Sequence, residues 1–128
     1  MRVLLDTFPF VWLTSEPVRL SQVASDTLSD DSNQFFLSDA SALELSLMYG
    51  DGSLQMPQTP RVWLEQQRKS WQVQMIPLRR VVCYRVSELP HHHDDPIDRL
   101  LVATALVEDL SILTSDEDIR KYPVTTIW

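Results

Sequence analysis

The chain has 128 residues, enough for one domain around one core. Its net charge of −7 and pI of about 4.7 argue against a nucleic-acid binder that relies on a basic surface. The longest apolar run is too short to span a bilayer, the opening "MRVLLDTFPF" is no signal peptide, and one cysteine, Cys83, excludes an internal disulfide. A cytoplasmic protein without membrane contact is therefore expected. Two circumstances reconcile acidity with nucleic-acid chemistry: bound cations that reverse the local sign, or a basic partner covering the acids.

In chain order, "RVLLD" (2–6) is a short apolar run that predicts a first strand. "SEPVRLSQVASDTLSDD" (15–31) carries Leu20, Val23, Ala24, Thr27 and Leu28 at helical spacing. "QFFLS" (34–38) predicts a second strand, and "DASALELSLMYGDG" (39–52) a helix stopped by Gly50 and Gly52. "TPRVWLEQQRKSWQV" (59–73) predicts a helix with Thr59 as N-cap and Pro60 in first position. "QMIPL" (74–78) predicts a strand and "RRVVCYRVSEL" (79–89) a helix. "DPIDRLLVATALVEDL" (95–110) is the strongest helical segment, with Asp95 as cap and Pro96 in first position. "SILTS" (111–115) predicts a strand, "DEDIRKY" (116–122) a short helix and "VTTIW" (124–128) a last strand. With no repeat or linker visible, this alternation predicts a single domain over 1–128, a three-layer α/β/α sandwich with a mostly parallel central sheet.

Ligands of such folds bind beyond the carboxyl ends of the strands, so acids at strand ends matter most. Asp6 closes the first strand, where a turn role competes with a site role. Asp116 follows "SILTS" and competes with Ser115 as a cap for the next helix. Asp118, two residues on, is read as solvated. Glu44 fits a capping box with Ser41, although Ser38 or Asp39 serves equally as the cap. Ala40, Leu43, Leu47 and Met48 share its predicted face, which demands pairing, hydrogen bonds or metal for the carboxylate. Asp98 lies in the first turn of the strongest helix and shares a face with Leu101, Val102 and Ala105. Its interaction with the helix dipole is the plain alternative. Arg99 faces elsewhere, as a surface or ion-pair residue.

Four acids from separate segments can thus converge at one sheet edge. Hard cations such as Mg²⁺ and Mn²⁺ take carboxylate oxygen, and an ion relieves the repulsion among crowded carboxylates. The run His91-His92-His93 is read as a loop that caps, packs or hydrogen-bonds, because three neighbouring imidazoles face one zinc ion poorly. With only two glycines there is no glycine-rich phosphate loop.

Four segments resemble the PIN-domain proteins, and within them the VapC-like toxins of bacterial toxin–antitoxin pairs. "LLDTFPFVWL" is similar to the family's opening, LLDT-His before a short helix ending in Leu-Trp. "LSDASALELSLMYGDGSL" resembles its Ser-x-x-Ser-x-x-Glu helix followed by Gly and Leu. "LPHHHDDPIDRLLVATAL" resembles Leu-Pro-x-His-His-x-Asp-Pro-Phe-Asp-Arg before an apolar helix. "LSILTSDEDIRKY" resembles its late strand and closing acid. The resemblance covers nearly the whole chain and implies Asp6, Glu44, Asp98 and Asp116 as catalytic and metal-binding acids. Thr114 or Ser115 would position a water or an acid, and Asp95 would serve as the cap. Phe8 stands where many relatives have His, Met48 where many have a basic residue, and Ile97 where Phe is usual. None of these removes a proposed ligand, but the missing basic residue puts substrate affinity and identity in question.

What the resemblance implies is a Mg²⁺- or Mn²⁺-dependent endoribonuclease with a cognate antitoxin and a homodimeric state. The alternative is a PIN-fold binding protein with weak or lost catalysis that acts through its partner. A phosphoaspartate enzyme with Asp6 as nucleophile is disfavoured, because Phe8 occupies the place of its second Asp. The tryptophans, including Trp12, Trp63 and Trp71, serve a core by default, or else a groove or dimer face. Arg61, Arg68, Lys69, Arg79, Arg80 and Arg85 are candidate RNA contacts, most of them read as a solvated face.

Overall fold

Alternation of apolar side chains along each strand sets the layers. The computed structural model describes residues 1–128. Its elements are β1 (Arg2–Leu5), α1 (Thr7–Ser15), α2 (Gln22–Ser29), β2 (Gln34–Ser38), α3 (Asp39–Gly50) and α4 (Pro60–Ser70). Then follow β3 (Val73–Ile76), α5 (Arg80–Val86), α6 (Pro96–Glu108), β4 (Ser111–Leu113) and β5 (Thr126–Ile127). The strands form one sheet in the order β3-β2-β1-β4-β5, and every pairing is parallel. Leu4, Phe36 and Ile112 point to one face, where they meet Val82 of α5 and Leu101, Val102 and Ala105 of α6. Val3, Leu5, Leu37 and Leu113 point to the other, against Phe10 of α1, Ala24 of α2, Leu45 of α3 and Trp63 of α4. Each Val, Leu, Ile or Phe side chain among them stabilises the fold by about 1.5–3 kcal/mol relative to exposure. Trp63 packs edge-on to Phe10, with ring centroids 5.8 Å apart.

The chain builds outward from β1 to β2 and β3, then crosses back to lay β4 and β5 on the other side of β1. The order therefore reverses between β1 and β4. Their carboxyl ends form the crevice where open α/β sheets hold ligands. Asp6 N–H donates to the Leu113 carbonyl at 3.0 Å, which ties the two strand ends together.

Several boundaries differ from the sequence-based expectation, each for a local reason. The helix expected over 15–31 begins only at Gln22, because a single 3₁₀ turn fills Pro17–Arg19 and the Ser21 hydroxyl caps α2 at Ala24 N. Residues 7–15, to which periodicity assigned no element, form α1, whose Asp6 cap accepts from Thr7 N. α4 ends at Ser70; Gln72 then takes a left-handed backbone with φ of 55°, and β3 starts one residue early at Val73. β3 stops before Pro77, which has no N–H for the ladder. Thr59 makes no side-chain cap bond, so Pro60 alone marks the start of α4. "DEDIRKY" yields only a 3₁₀ turn at Ile119–Lys121. Asp116 accepts from Asp118 N at 2.8 Å, and such side-chain bonds compete with helix formation.

Candidate metal centre

Asp6 sits directly after β1, at the reversal point. One carboxylate oxygen, Oδ1, accepts from Thr7 N at 2.7 Å, and the other, Oδ2, accepts from the Thr114 hydroxyl at 2.7 Å. Thr114 is fully buried at the end of β4, and its hydroxyl also accepts from Asp116 N at 3.0 Å. One hydroxyl thus fixes the side chain of Asp6 and the backbone of Asp116. Ser115 is half-buried and stands outside this network. Thr7 donates its hydroxyl to Ser41 Oγ at 2.8 Å and so joins α1 to α3 beneath the crevice.

The start of α6 supplies the next acid. Asp95 caps the helix by accepting from Ile97 N at 2.9 Å and Asp98 N at 3.2 Å. Asp98 is 9% exposed, and Leu101, Val102 and Ala105 are buried beneath the same helix. Asp98 Oδ2 lies 3.1 Å from His93 Nε2, and the other nitrogen of that ring, Nδ1, lies 2.8 Å from the Tyr122 hydroxyl. Arg99 forms no ion pair, contrary to one expectation for it. It donates to the Tyr122 hydroxyl at 2.9 Å and to the carbonyls of Pro90 and Val86 at 3.1 and 3.0 Å. Val86 ends α5 and Pro90 lies in the loop that follows, so Arg99 ties the histidine loop to the end of that helix. His92 packs edge-on to Tyr122, and His91 pairs with Asp94 at the surface. His92 and His93 thus share Tyr122 while His91 pairs apart from them with Asp94, an arrangement of packing and hydrogen bonding rather than of three rings turned to one point.

Glu44 is half-buried on α3. Its expected apolar surroundings hold only in part: Ala40 is buried and Met48 half-buried, but Leu43 and Leu47 are exposed, and the helix buries Ser41 and Leu45 in their place. Ser38, not Ser41, is the cap, donating nothing and accepting from Ala40 N at 3.0 Å. Ser41 is consumed by Thr7, so no capping box forms.

The acids perturb one another. Burial pushes the Asp98 carboxyl up to about 8, and the charges of Asp95, Asp6, Asp116 and Glu44 add to the rise. Burial also raises Asp6, against the lowering effect of its bonds from Thr114 and Thr7, with Asp116 and Asp95 adding to the rise. Glu44 is raised by burial, lowered in part by the nearby Thr7 hydroxyl, and raised again by Asp6 and Asp95. Five carboxylates therefore share one electrostatic neighbourhood. As the side chains stand, no three His, Cys, Asp or Glu groups form a ready cage for an ion. Mg²⁺ does not require one, since it keeps several waters and binds through one or two carboxylates plus substrate phosphate. The donors are all carboxylate oxygens, which suits a hard divalent ion.

Against known proteins, residues 3–124 match the model of the PIN domain. The chain belongs to the PIN-domain family. Ribonuclease VapC22 of Mycobacterium tuberculosis is similar at 29% identity over 131 aligned positions, covering 98% of each chain. VapBC2 of Rickettsia felis, solved bound to a promoter DNA fragment, shares the fold with a TM-score of 0.74 at 16% identity, covering 98% of this chain and 97% of that one. FitAcB of Neisseria gonorrhoeae shares it with a TM-score of 0.66 at 22% identity, over 97% and 95% of the two chains. The α/β architecture with its parallel sheet is thus the PIN fold.

In this PIN domain the polar partners of the acids were the least foreseeable part. Tyr122 stands 29 positions from His93 and 23 from Arg99, so no local spacing connects them. The bond between Thr7 and Ser41, 34 positions apart, is beyond local spacing in the same way. The run of three histidines just before the start of α6 was the one available hint, and His93 is the member that reaches Asp98. Of the basic residues, Arg68 pairs with Glu65 and Arg79 with Glu108, while Arg61, Lys69 and Arg80 are exposed.

Proposed function

We propose that this protein is a Mg²⁺- or Mn²⁺-dependent endoribonuclease that acts as the toxin of a toxin–antitoxin pair. The observation that carries the reading is the group of carboxylates at the β1/β4 reversal, where burial first and the neighbouring charges second raise Asp98 to about 8. Crowded acids of this kind are costly unless a cation is their partner. Asp6, Asp98, Asp116 and Glu44 would hold the ion, which when bound supplies a Lewis acid for the phosphodiester and activates water. Thr114 keeps Asp6 from rotating, and the Asp95 cap sets the backbone from which Asp98 projects. Carboxylate oxygens left free of the ion orient the attacking water and receive its proton. An RNA backbone is the substrate class that a local cation would admit to an otherwise acidic surface.

Similarity to ribonuclease VapC22 supports the activity, and the toxin–antitoxin neighbours, one of them from Klebsiella pneumoniae, support a protein partner. Leu43 and Leu47 on α3, with Val81 and Tyr84 on α5, are exposed apolar side chains suited to an antitoxin or a second copy. No helix is long and apolar enough to cross a membrane.

The test is cleavage of a mixed pool of tRNA and structured RNA by purified protein. Cutting should require Mn²⁺ or Mg²⁺, stop with chelator and vanish in Asp98→Asn. A folded, antitoxin-free sample that binds metal yet cuts none of the pool would favour the binding-protein reading.

A further inference from the structure

We propose that His93 is a positioning residue for Asp98, held in one tautomer by Tyr122 and Arg99. It occupies one carboxylate oxygen so that the other is presented to the divalent ion. This rests on the metal-dependent reading above and adds residues that the acid set does not contain.

The direction of each bond follows from donor and acceptor chemistry. A guanidinium only donates, so Arg99 Nη1 gives a hydrogen to Tyr122 Oη across 2.9 Å. A carboxylate that holds a cation is ionised and only accepts. His93 Nε2, 3.1 Å from Asp98 Oδ2, must then carry the hydrogen. In a neutral ring Nδ1 is left with a lone pair, and the Tyr122 O–H at 2.8 Å is there to donate to it. The chain thus runs from Arg99 to Tyr122 to His93 to Asp98 without an unsatisfied link.

The chain is also mechanically fixed. Tyr122 is 3% exposed, so its hydroxyl cannot swing into solvent. His92 braces its ring edge-on with centroids 4.8 Å apart, and the Arg99 guanidinium lies 5.8 Å from the ring centre. Arg99 is itself anchored by the Pro90 and Val86 carbonyls. The Asp95 cap holds the Asp98 backbone from one side while His93 holds its side chain from the other. A neutral N–H orients a carboxylate without adding a positive charge that would compete with the metal. Partners of this type, one bond behind a metal ligand, typically change affinity or activity by about 10–100-fold when removed.

The test is calorimetric titration with Mn²⁺ at neutral pH on wild type, Asp98→Asn, His93→Phe, His93→Gln and Tyr122→Phe, with thermal melts alongside. Nitrogen-resolved NMR of the Mg²⁺-loaded wild type reads the His93 tautomer. Asp98→Asn should lose Mn²⁺ binding most. His93→Phe should weaken it about 10–100-fold, and His93→Gln, which keeps an N–H donor, should recover part of the loss. Tyr122→Phe, which removes one oxygen only, should weaken it by up to about tenfold and mix the tautomers. The wild type should show the Nε2–H form. A merely structural histidine would shift the melts and leave Mn²⁺ affinity unmoved. Wild-type affinity in both His93→Phe and Tyr122→Phe, or an Nδ1–H tautomer in the Mg²⁺-loaded protein, would overturn the proposal and leave the metal reading standing. Failure of the wild type to bind Mn²⁺, or wild-type affinity in Asp98→Asn, would overturn both.

Discussion

Replacing Asp98 by asparagine should stabilise the metal-free protein at neutral to mildly alkaline pH. The Asp98 carboxyl is raised from 3.8 to about 8, first by burial and then by Asp95, Asp6, Asp116 and Glu44. A folded pKa above the unfolded one means that the folded state keeps a proton which the unfolded chain releases. The associated stability is fully present below about pH 4 and is lost as pH rises through about 8. At roughly 1.4 kcal/mol per pKa unit the ceiling is about 6 kcal/mol. Four neighbouring acids share the repulsion, and the His93 ring can donate to the anion, so about 3 kcal/mol is the working expectation. The asparagine keeps the shape and an oxygen for His93, yet never ionises. Urea unfolding in chelator should show wild type losing stability between about pH 4 and 8, with the variant's profile flatter and higher by about 2–3 kcal/mol at the alkaline end. Saturating Mg²⁺ should invert the order, because only wild type gains binding free energy. Parallel pH profiles in chelator, or a variant less stable than wild type at pH 8, would refute the electrostatic reasoning.

Thr114→Val removes the hydroxyl shared by Asp6 and the Asp116 N–H, and should cost about 2–4 kcal/mol in urea unfolding as well as slowing metal-dependent cleavage. Thr114→Ser should retain most of both. Asp95→Ala loses a helix cap worth about 1 kcal/mol but also the largest charge acting on Asp98, so the Asp98 pKa should fall in a carbon-detected NMR titration. Arg99→Met strips the donors from the Pro90 and Val86 carbonyls and from Tyr122; melts should drop, and amide exchange should quicken in residues 87–94.

The layer architecture was readable because each strand is a short apolar run and α6 carries both a cap and a first-position proline. The acids could be singled out one at a time, since Asp6 and Asp116 follow strands and Asp98 opens a helix. What side-chain periodicity could not show was α1, whose segment "TFPFVWLTS" is apolar on nearly every side and lacks a polar stripe. Nor could it show which serine caps α3, because Ser38 and Ser41 both fit and only the distant Thr7 decides between them. Leu43 and Leu47 were placed inward by helical spacing, yet α3 buries Ala40, Ser41 and Leu45 and turns those two leucines to solvent. The Arg99–Tyr122–His93 chain joins the α6 entrance to the final 3₁₀ turn, a contact created only when β4 crosses back beside β1.

The most direct measurement of the central claim is an anomalous difference map from a crystal of the protein grown or soaked with Mn²⁺. The account predicts a peak at the carboxyl edge between β1 and β4, touched by oxygens of Asp6 and Asp98, with His93 Nε2 on the Asp98 oxygen facing away from it. A protein that cleaves RNA while its Mn²⁺ peak lies elsewhere, or touches none of Asp6, Glu44, Asp98 and Asp116, would contradict it.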